Sequence, residues 1–257
     1  MKKTFLLGAG AQKSGTTWLH GFLSENKSVD FGRLKEYHIW DALYIKECSK
    51  FIAPKEDALR HSLQNTAGAY EKYFSSLIRG DVRLTGDITP SYSGLPTSAL
   101  HLIRDRIESA GFNIKIVFLM RDPFERCWSA VRMDRRNGRE ASPEIERLRN
   151  AYKSPDFIFR TNYKNTIQAL ESAFVPHQIY YGIYEELFKP EKIKELSDFL
   201  EVSYRPDLAS KKFNTSPKID NEALVLAKEI REFYSDVYTF CRERFPQTES
   251  LWGLHEN

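Results

Sequence analysis

Glycine, lysine and hydroxyl side chains are concentrated in the stretch GAGAQKSGTTWL, which directly follows an apolar run near the N-terminus. Gly10 and Gly15 have the spacing of a GxxxxGK(S/T) phosphate-binding loop, but Thr16 occupies the position of the lysine in that pattern. The lysine of this loop is instead Lys13, three residues earlier. A strand, a glycine-rich turn and a helix start present free backbone N–H groups and the positive end of a helix dipole. The stretch therefore predicts a site for a phosphate or sulfate group.

The displaced lysine weakens the two commonest interpretations of such a loop. In nucleotide triphosphatases the lysine stands on the helix and reaches the terminal phosphates, and the hydroxyl beside it holds magnesium. Thr16 replaces that lysine, so ATP hydrolysis is poorly supported. The dinucleotide fingerprint also fails, because Gly8 and Gly10 would require a third glycine where Lys13 stands. A nucleotide or small-molecule kinase and a catalytically inactive nucleotide-binding module remain alternatives.

A second group of candidate anion-binding residues follows the apolar run Ile114–Leu119. Arg121 comes just after this run, and Ser129 would lie two turns into the helix that follows. Open α/β sheets bind ligands at the carboxyl ends of their strands. Arg121 and Ser129 are therefore predicted to bind one phosphate together, whereas Arg126 on the same helix is interpreted as a surface salt-bridge residue.

The segment KEYHIWD, residues 35–41, contains two side chains that can accept a proton. If the segment is extended, Glu36 and His38 lie on the same face, so His38 could orient the Glu36 carboxylate or act as the base itself. In a helix the two side chains would diverge. A hydrogen-bonded structural role is an equally good interpretation of His38.

These motifs closely resemble those of the sulfotransferases that use 3′-phosphoadenosine-5′-phosphosulfate. GAQKSGTTWL is similar to the 5′-phosphosulfate loop of that family, RDPxxRxxS to its 3′-phosphate motif, and KEYHIW to the segment of carbohydrate-type members that carries the proposed base. The resemblance implies that Lys13 binds the bridging oxygen and the leaving phosphate. It also implies further donor-binding residues, namely Ser14, Gly15, Thr16, Thr17, Trp18, Arg121 and Ser129.

The resemblance further implies the reaction and its catalytic residues. A sulfuryl group would move by direct in-line displacement to a hydroxyl, or less favourably an amine, without a metal, leaving 3′-phosphoadenosine-5′-phosphate. Glu36 is the first choice as base, with Lys13 and His38 as the other catalytic residues. KEYHIW favours a carbohydrate acceptor. Many carbohydrate-type members have a lysine where this chain has Ile88, and Lys35 is a candidate to compensate for it.

Hydrophobic periodicity predicts an α/β fold, in which strands alternating with helices form a central, mainly parallel sheet flanked by helices. We expect one P-loop-like domain over residues 1–257, as in the bacterial members of the family. The predicted strands are 4–9, 29–31, 83–85, 114–119 and 178–183. One helix is predicted to begin near Thr16, and the region 51–79 is predicted to be mostly helical. Further helices are predicted over 97–109, 163–174, 191–200 and 221–243. Asp122 is suited to cap the helix before Ser129, with Pro123 as its first residue and Glu125 as a capping-box partner.

Composition narrows the possible partners and compartments. The chain has 257 residues and a net charge of +3, which favours neither a nucleic acid nor an anionic membrane as partner. Its three cysteines are far apart, so neither a disulfide framework nor a zinc site is expected. No apolar run approaches the ~20 residues of a membrane span, and we expect a cytoplasmic location. The cluster of Lys211, Lys212 and Lys218 is interpreted as a solvated basic turn, although it could line the nucleotide site. The sequence indicates no oligomeric state.

Overall fold

Four parallel strands form one sheet in the order β2-β1-β3-β4. The computed structural model describes residues 3–138, 142–208 and 221–253, with the side chains of 221–224 left out of the description. The strands are β1 (Lys3–Gly8), β2 (Leu84–Ile88), β3 (Phe112–Met120) and β4 (Ile179–Ile183). The prediction of an α/β fold with a parallel sheet is confirmed.

Helices follow each strand and pack on both faces of the sheet. The helices are α1 (Thr16–Ser24), α2 (Trp40–Tyr44), α3 (Ala58–Asn65), α4 (Ala69–Leu77), α5 (Thr97–Ser109), α6 (Pro123–Arg136), α7 (Glu144–Ala151), α8 (Pro155–Thr161), α9 (Tyr163–Ala173), α10 (Pro190–Leu200), α11 (Asn221–Phe233), α12 (Ser235–Arg244) and α13 (Thr248–Leu251). Short 3₁₀ helices lie at Lys46–Phe51, Pro90–Gly94, Pro176–Gln178 and Pro206–Leu208. Within the described ranges no helix has the length and apolar character that crossing a bilayer requires.

Burial on both faces explains why β1 is a continuous apolar run rather than an alternating one. Phe5 and Leu7 pack into a core that contains side chains of α4, α5 and α9. Leu6 packs into a separate core on the other face, with side chains of α1 and α10. The sheet is thereby fixed between two helical layers, and its carboxyl edge is left to carry the loops.

Two predicted elements differ from the structure. The segment 29–31 forms only an isolated bridge from Val29 to Leu84, not a strand. The helix predicted over 221–243 is two helices, α11 and α12, which meet at Tyr234. The Tyr234 hydroxyl donates to the Tyr152 carbonyl at 2.6 Å, and α11 packs on α6 and α7 whereas α12 packs on α9. Because the two halves pack on different helices, the chain turns between them.

Asp122 anchors the start of α6, immediately after Arg121. Its Oδ1 accepts the Glu125 amide at 3.1 Å, as the prediction of an N-cap requires, and also the Tyr238 hydroxyl at 3.0 Å. Its Oδ2 accepts from the Arg231 guanidinium at 2.6 Å. One buried carboxylate therefore joins α6 to α11 and α12. The capping-box prediction for Glu125 was wrong, because its carboxylate pairs with Arg121 instead.

We predict that Asp122→Ala lowers the free energy of unfolding by about 2 to 4 kcal/mol, because it removes the cap of α6 and takes an acceptor from the partly buried Arg231 guanidinium and Tyr238 hydroxyl. Asp57→Ala is the matched control, since Asp57 caps α3 through the Arg60 amide at 3.3 Å but at a more exposed position. The control should cost about 1 kcal/mol. Urea unfolding of both variants measures the difference, and equal losses would contradict the anchoring role of Asp122.

Candidate active site

The loop between β1 and α1 has the backbone geometry of an anion cradle. Gly15 is the N-cap of α1 with φ 100°, and no side chain caps the helix, so the first-turn N–H groups have no partner within the helix. The backbone of Lys13 is in the left-handed region, with φ 70°. A Cβ on Gly10, at φ 102°, would come within 2.4 Å of the Pro90 carbonyl oxygen. The glycine requirement therefore comes from both dihedral angle and space.

Both predicted anion-binding groups line one cleft of about 340 Å³. Lys13, Gly15, Thr16, Thr17 and Trp18 lie on its loop side, and Arg121 and Ser129 also line it. The Arg121 Nη1 lies 3.4 Å from the Lys13 carbonyl oxygen. The two motifs, which are more than 100 residues apart in sequence, therefore meet at the carboxyl edge of the sheet.

The Arg121 guanidinium is held in place but retains free donor capacity. It pairs with the Glu125 carboxylate at 2.9 Å and lies 4.4 Å from the centroid of the Tyr184 ring. Its Nε is buried and has no hydrogen-bond partner among the described residues. A buried guanidinium N–H without an acceptor is costly, so an anion in the cleft would satisfy it.

Ser14 is the predicted loop residue that does not line the cleft. It is fully buried, its amide donates to the Ala11 carbonyl at 3.2 Å, and its hydroxyl has no hydrogen-bond partner among the described residues. Trp18 lines the cleft but is almost fully buried, and its ring stacks on Phe22 with centroids 4.9 Å apart. Roles for Ser14 and Trp18 in donor binding stay predictions from the family resemblance.

Glu36 and His38 enter the same cleft and contact each other. His38 Nε2 lies 3.4 Å from Glu36 Oε2, and His38 Nδ1 lies 2.7 Å from Asp41 Oδ2. The second Glu36 oxygen contacts the Lys35 ammonium. Asp41 is fully buried and also accepts from the Ser91 hydroxyl. The result is a chain of ionisable groups from the core to the cleft.

The backbone of residues 36–38 directs these side chains outward and Tyr37 inward. Tyr37 is fully buried, and its hydroxyl donates to the Phe31 carbonyl at 2.6 Å. Its amide donates to the Thr89 hydroxyl at 3.0 Å, and that hydroxyl donates to the buried Asp87 at 2.6 Å. The backbone of His38 is in the left-handed region, with φ 55°, so the segment is not a regular strand. Glu36 and His38 nevertheless share one side, as predicted for an extended segment.

Neighbouring charges lower the pKa of Glu36 and raise the pKa of His38. Burial favours the neutral form of Glu36, but the hydrogen bond from His38 and the Lys35 charge outweigh it and lower the pKa of Glu36 to about 2. Burial also opposes the charge on His38, but Asp41 and Glu36 raise the pKa of His38 to about 9. At neutral pH the arrangement is therefore an imidazolium between two carboxylates.

The charged form of Lys13 is disfavoured by burial and by neighbouring cations. Burial, followed by the charges of Arg136, Arg121 and Lys35, lowers the pKa of Lys13 to about 8. A bound anion would offset this repulsion and raise the pKa of Lys13 again, which stabilises the charged form further. The cleft is thus electrostatically suited to a ligand with several negative charges.

Several residues of the site were missed or misread in the sequence. Arg160 on α8 lines the cleft and contacts Asp156, four residues earlier. This spacing is also that of an ordinary exposed ion pair on a helix, so the sequence did not single out Arg160. Asp41 was not singled out, although its spacing from His38 was a usable signal. Arg126 is not a surface residue: it is fully buried, with its guanidinium 4.9 Å from the centroid of the Phe157 ring.

Ile88 packs in the apolar core beside α1 and does not line the cleft. Lys35, the candidate replacement for a cation at that position, is paired with Glu36. Within the described residues no three His, Cys, Asp or Glu side chains are grouped to hold a metal ion.

We predict that the raised pKa of His38 makes folding stability depend on pH. The charged imidazole contributes stability that is fully present below about pH 6.5 and is lost as the pH rises through about 9. The difference in unfolding free energy between wild type and His38→Gln should therefore shrink by about 1 to 3 kcal/mol over that interval. Unfolding at several pH values measures this difference, and His177→Gln, which changes an exposed histidine of a 3₁₀ helix, is the control. A constant difference would contradict the imidazolium assignment.

Comparisons with known proteins bear on the fold and the family of the chain. A solved sulfotransferase from Alicyclobacillus acidocaldarius is 18% identical, with a TM-score of 0.65 and 95% of each chain covered. A sulfotransferase domain from the curacin biosynthetic pathway is also 18% identical, with a TM-score of 0.49 and with 91% of this chain and 97% of that chain covered. No curated protein matches the sequence. The sulfotransferase domain family matches residues 3–216. Since that match covers most of the sequence, the chain belongs to the sulfotransferase domain family.

Proposed function

We propose that this protein transfers a sulfuryl group from 3′-phosphoadenosine-5′-phosphosulfate to a hydroxyl acceptor, with an amine as the less favoured acceptor. The observation that carries the proposal is that Lys13, Arg121, Ser129 and Glu36 all line one cleft. Two cationic groups suit the two phosphate-bearing ends of one nucleotide. A carboxylate beside them suits the deprotonation of an acceptor.

The residues present fit the donor. The first-turn N–H groups of α1 and the Lys13 ammonium would hold the 5′-phosphosulfate, because both stabilise negative charge at one point. Arg121 and Ser129 would hold the 3′-phosphate, which supplies an acceptor for the unpartnered Nε of Arg121. The lysine in the loop would then lie beside the bridging oxygen, where charge develops as the phosphate leaves.

The transfer is a direct in-line displacement. The acceptor oxygen forms a bond to sulfur while the bond from sulfur to the bridging oxygen breaks, and the electron pair of the broken bond stays with 3′-phosphoadenosine-5′-phosphate. The acceptor proton passes to the protein. The cleft offers a group for each charge that would appear, because Lys13 can stabilise the leaving phosphate and Glu36 can take the acceptor proton.

Glu36 is better suited than His38 to take that proton. With its pKa at about 9, His38 already carries a proton on both nitrogens at neutral pH. Glu36 is ionised, although its pKa of about 2 makes it a weak base at rest. The acceptor proton becomes more acidic as the new bond to sulfur forms, so a weak base in contact with it suffices in a concerted step. We assign His38 the role of positioning Glu36.

We predict that 3′-phosphoadenosine-5′-phosphate raises the thermal midpoint more than 5′-AMP does, and more than ATP with magnesium does. Arg121→Ala should reduce the preference over 5′-AMP by about tenfold or more in affinity, because the variant removes a charged donor to the 3′-phosphate. Arg104→Ala removes an arginine that pairs with Asp105 on α5 and serves as control. A larger shift with ATP and magnesium would support the kinase alternative instead.

We predict that Glu36→Gln lowers kcat for sulfuryl transfer by about 10²- to 10⁴-fold. The affinity for 3′-phosphoadenosine-5′-phosphate should stay within about twofold, since Glu36 is assigned to the acceptor and not to the donor. His38→Gln should lose less activity, because glutamine can still donate one hydrogen bond to Glu36. Transfer of radiolabelled sulfate to an acceptor panel measures both variants. A larger loss in His38→Gln would make His38 the base, and a wild type that binds the nucleotide but modifies no acceptor would favour an inactive nucleotide-binding module.

A further inference from the structure

A second cavity of about 440 Å³ adjoins the cleft and shares Glu36, His38 and Phe51 with it. Lys13 and Arg121 line the cleft but are not among the described residues that line this cavity. The volume lies in the range of small-molecule sites. The cavity thus reaches the proposed base from a different side than the phosphate-binding groups do.

In-line displacement requires the attacking oxygen to lie opposite the leaving oxygen. Lys13 and the loop amides are assigned to the leaving phosphate, so the acceptor has to enter from the side of Glu36. The cavity meets this requirement because Glu36 and His38 form its boundary with the cleft. A molecule bound there can present a hydroxyl to Glu36 without competing for the nucleotide groups.

Helix α3 holds the walls of the cavity in position. Gln64 Nε2 donates to the His38 and Phe51 carbonyls at 2.8 and 2.9 Å. Its Oε1 accepts the Ala53 amide at 2.8 Å. The Arg60 guanidinium donates to the Glu36 carbonyl at 3.0 Å. A site whose walls are already hydrogen-bonded loses little entropy when it binds a ligand.

One wall of the cavity is apolar and partly uncovered. Phe51 stacks on the His38 ring with centroids 3.7 Å apart, and Ala53 and Pro54 continue the surface. Ile52 also lines the cavity and is 57% exposed. Apolar side chains in a concave site favour a ligand with an apolar portion.

Among the residues that the structure describes, Lys50 is the cation lining the cavity for which no ion pair with a carboxylate is seen. Lys35 contacts Glu36, and Arg60 pairs with Asp57 at 2.8 Å. The Lys50 ammonium lies 5.5 Å from the centroid of the Phe51 ring, and no carboxylate of the described residues lies within ion-pair distance of it. An anionic group in the cavity would be its natural partner.

We infer that this cavity binds the acceptor, and that the acceptor is a small molecule carrying both an apolar portion and an anionic group such as a carboxylate or phosphate. Its hydroxyl or amine meets Glu36, its apolar portion covers Phe51 and Ile52, and its anionic group pairs with Lys50. This inference rests on the proposed function, because Glu36 is the reference point for the acceptor.

Binding of matched probes to the complex with 3′-phosphoadenosine-5′-phosphate tests the inference. The probes are 4-hydroxyphenylacetate against 4-hydroxyphenylacetamide, and methyl glucuronide against methyl glucoside, which differ within each pair in the anionic group. The anionic member of at least one pair should bind about tenfold more tightly, since it gains a charge-assisted contact. Lys50→Ala should reduce that preference to about twofold or less, and Lys50→Arg should retain it.

Lys46→Ala is the matched control, because Lys46 belongs to the same 3₁₀ helix and is exposed but is not among the residues that line the cavity. This variant should leave the preference unchanged. Equal binding within both pairs, no binding of either anionic probe, or a preference that survives Lys50→Ala would each overturn the inference. Nucleotide binding is measured on the same samples, so its absence would count against the proposed function separately.

Discussion

The backbone pairing with β3 continues past the end of β1, and the position of the site depends on it. The Ala11 amide donates to the Leu119 carbonyl at 2.7 Å, and the Leu119 amide donates to the Gly10 carbonyl at 2.8 Å. Two residues beyond this pair the chain reaches Lys13 on one side and Arg121 on the other. Parallel strands end at the same edge of a sheet, so the hydrogen bonds that pair β1 with β3 also bring Lys13 and Arg121 together at that edge.

The acceptor side of the cleft depends instead on buried polar groups. Asp87, whose pKa burial raises to about 6, accepts from Thr89 and from the hydroxyls of Tyr70 and Tyr92, and Thr89 in turn accepts the Tyr37 amide. Such a network is stable only when its members are hydrogen-bonded, so it specifies one conformation for the residues it holds. The proposed base is therefore supported from the core and not by a regular element.

Local patterns predicted the elements that depend on local physics, and failed where distant packing decides. The cap at Asp122 and the apolar run of β3 follow from residue type and burial, and both are present. The pattern over 221–243 is continuous, yet the helix divides at Tyr234 because its halves pack on different partners. Arginine is a residue type usually found at the surface, yet Arg126 is fully buried. A single sequence does not indicate which helix will cover a given face.

The sequence by itself determined the parallel α/β architecture, the loop with its glycines and Lys13, and the candidates Glu36, His38, Arg121 and Ser129. The architecture and the loop follow from periodicity and from the dihedral freedom of glycine, and Arg121 with Ser129 follows from the placement of a strand end, whereas Glu36 and His38 were singled out through the resemblance of KEYHIW to a segment of the family. All of these are properties of short stretches of sequence. Only the tertiary structure decided that these side chains share one cleft and that Asp41 lies behind His38. It also decided that Lys50 lines the adjoining cavity. Those facts depend on contacts between residues far apart in the chain, and on the burial that shifts their pKa values, neither of which a local pattern contains.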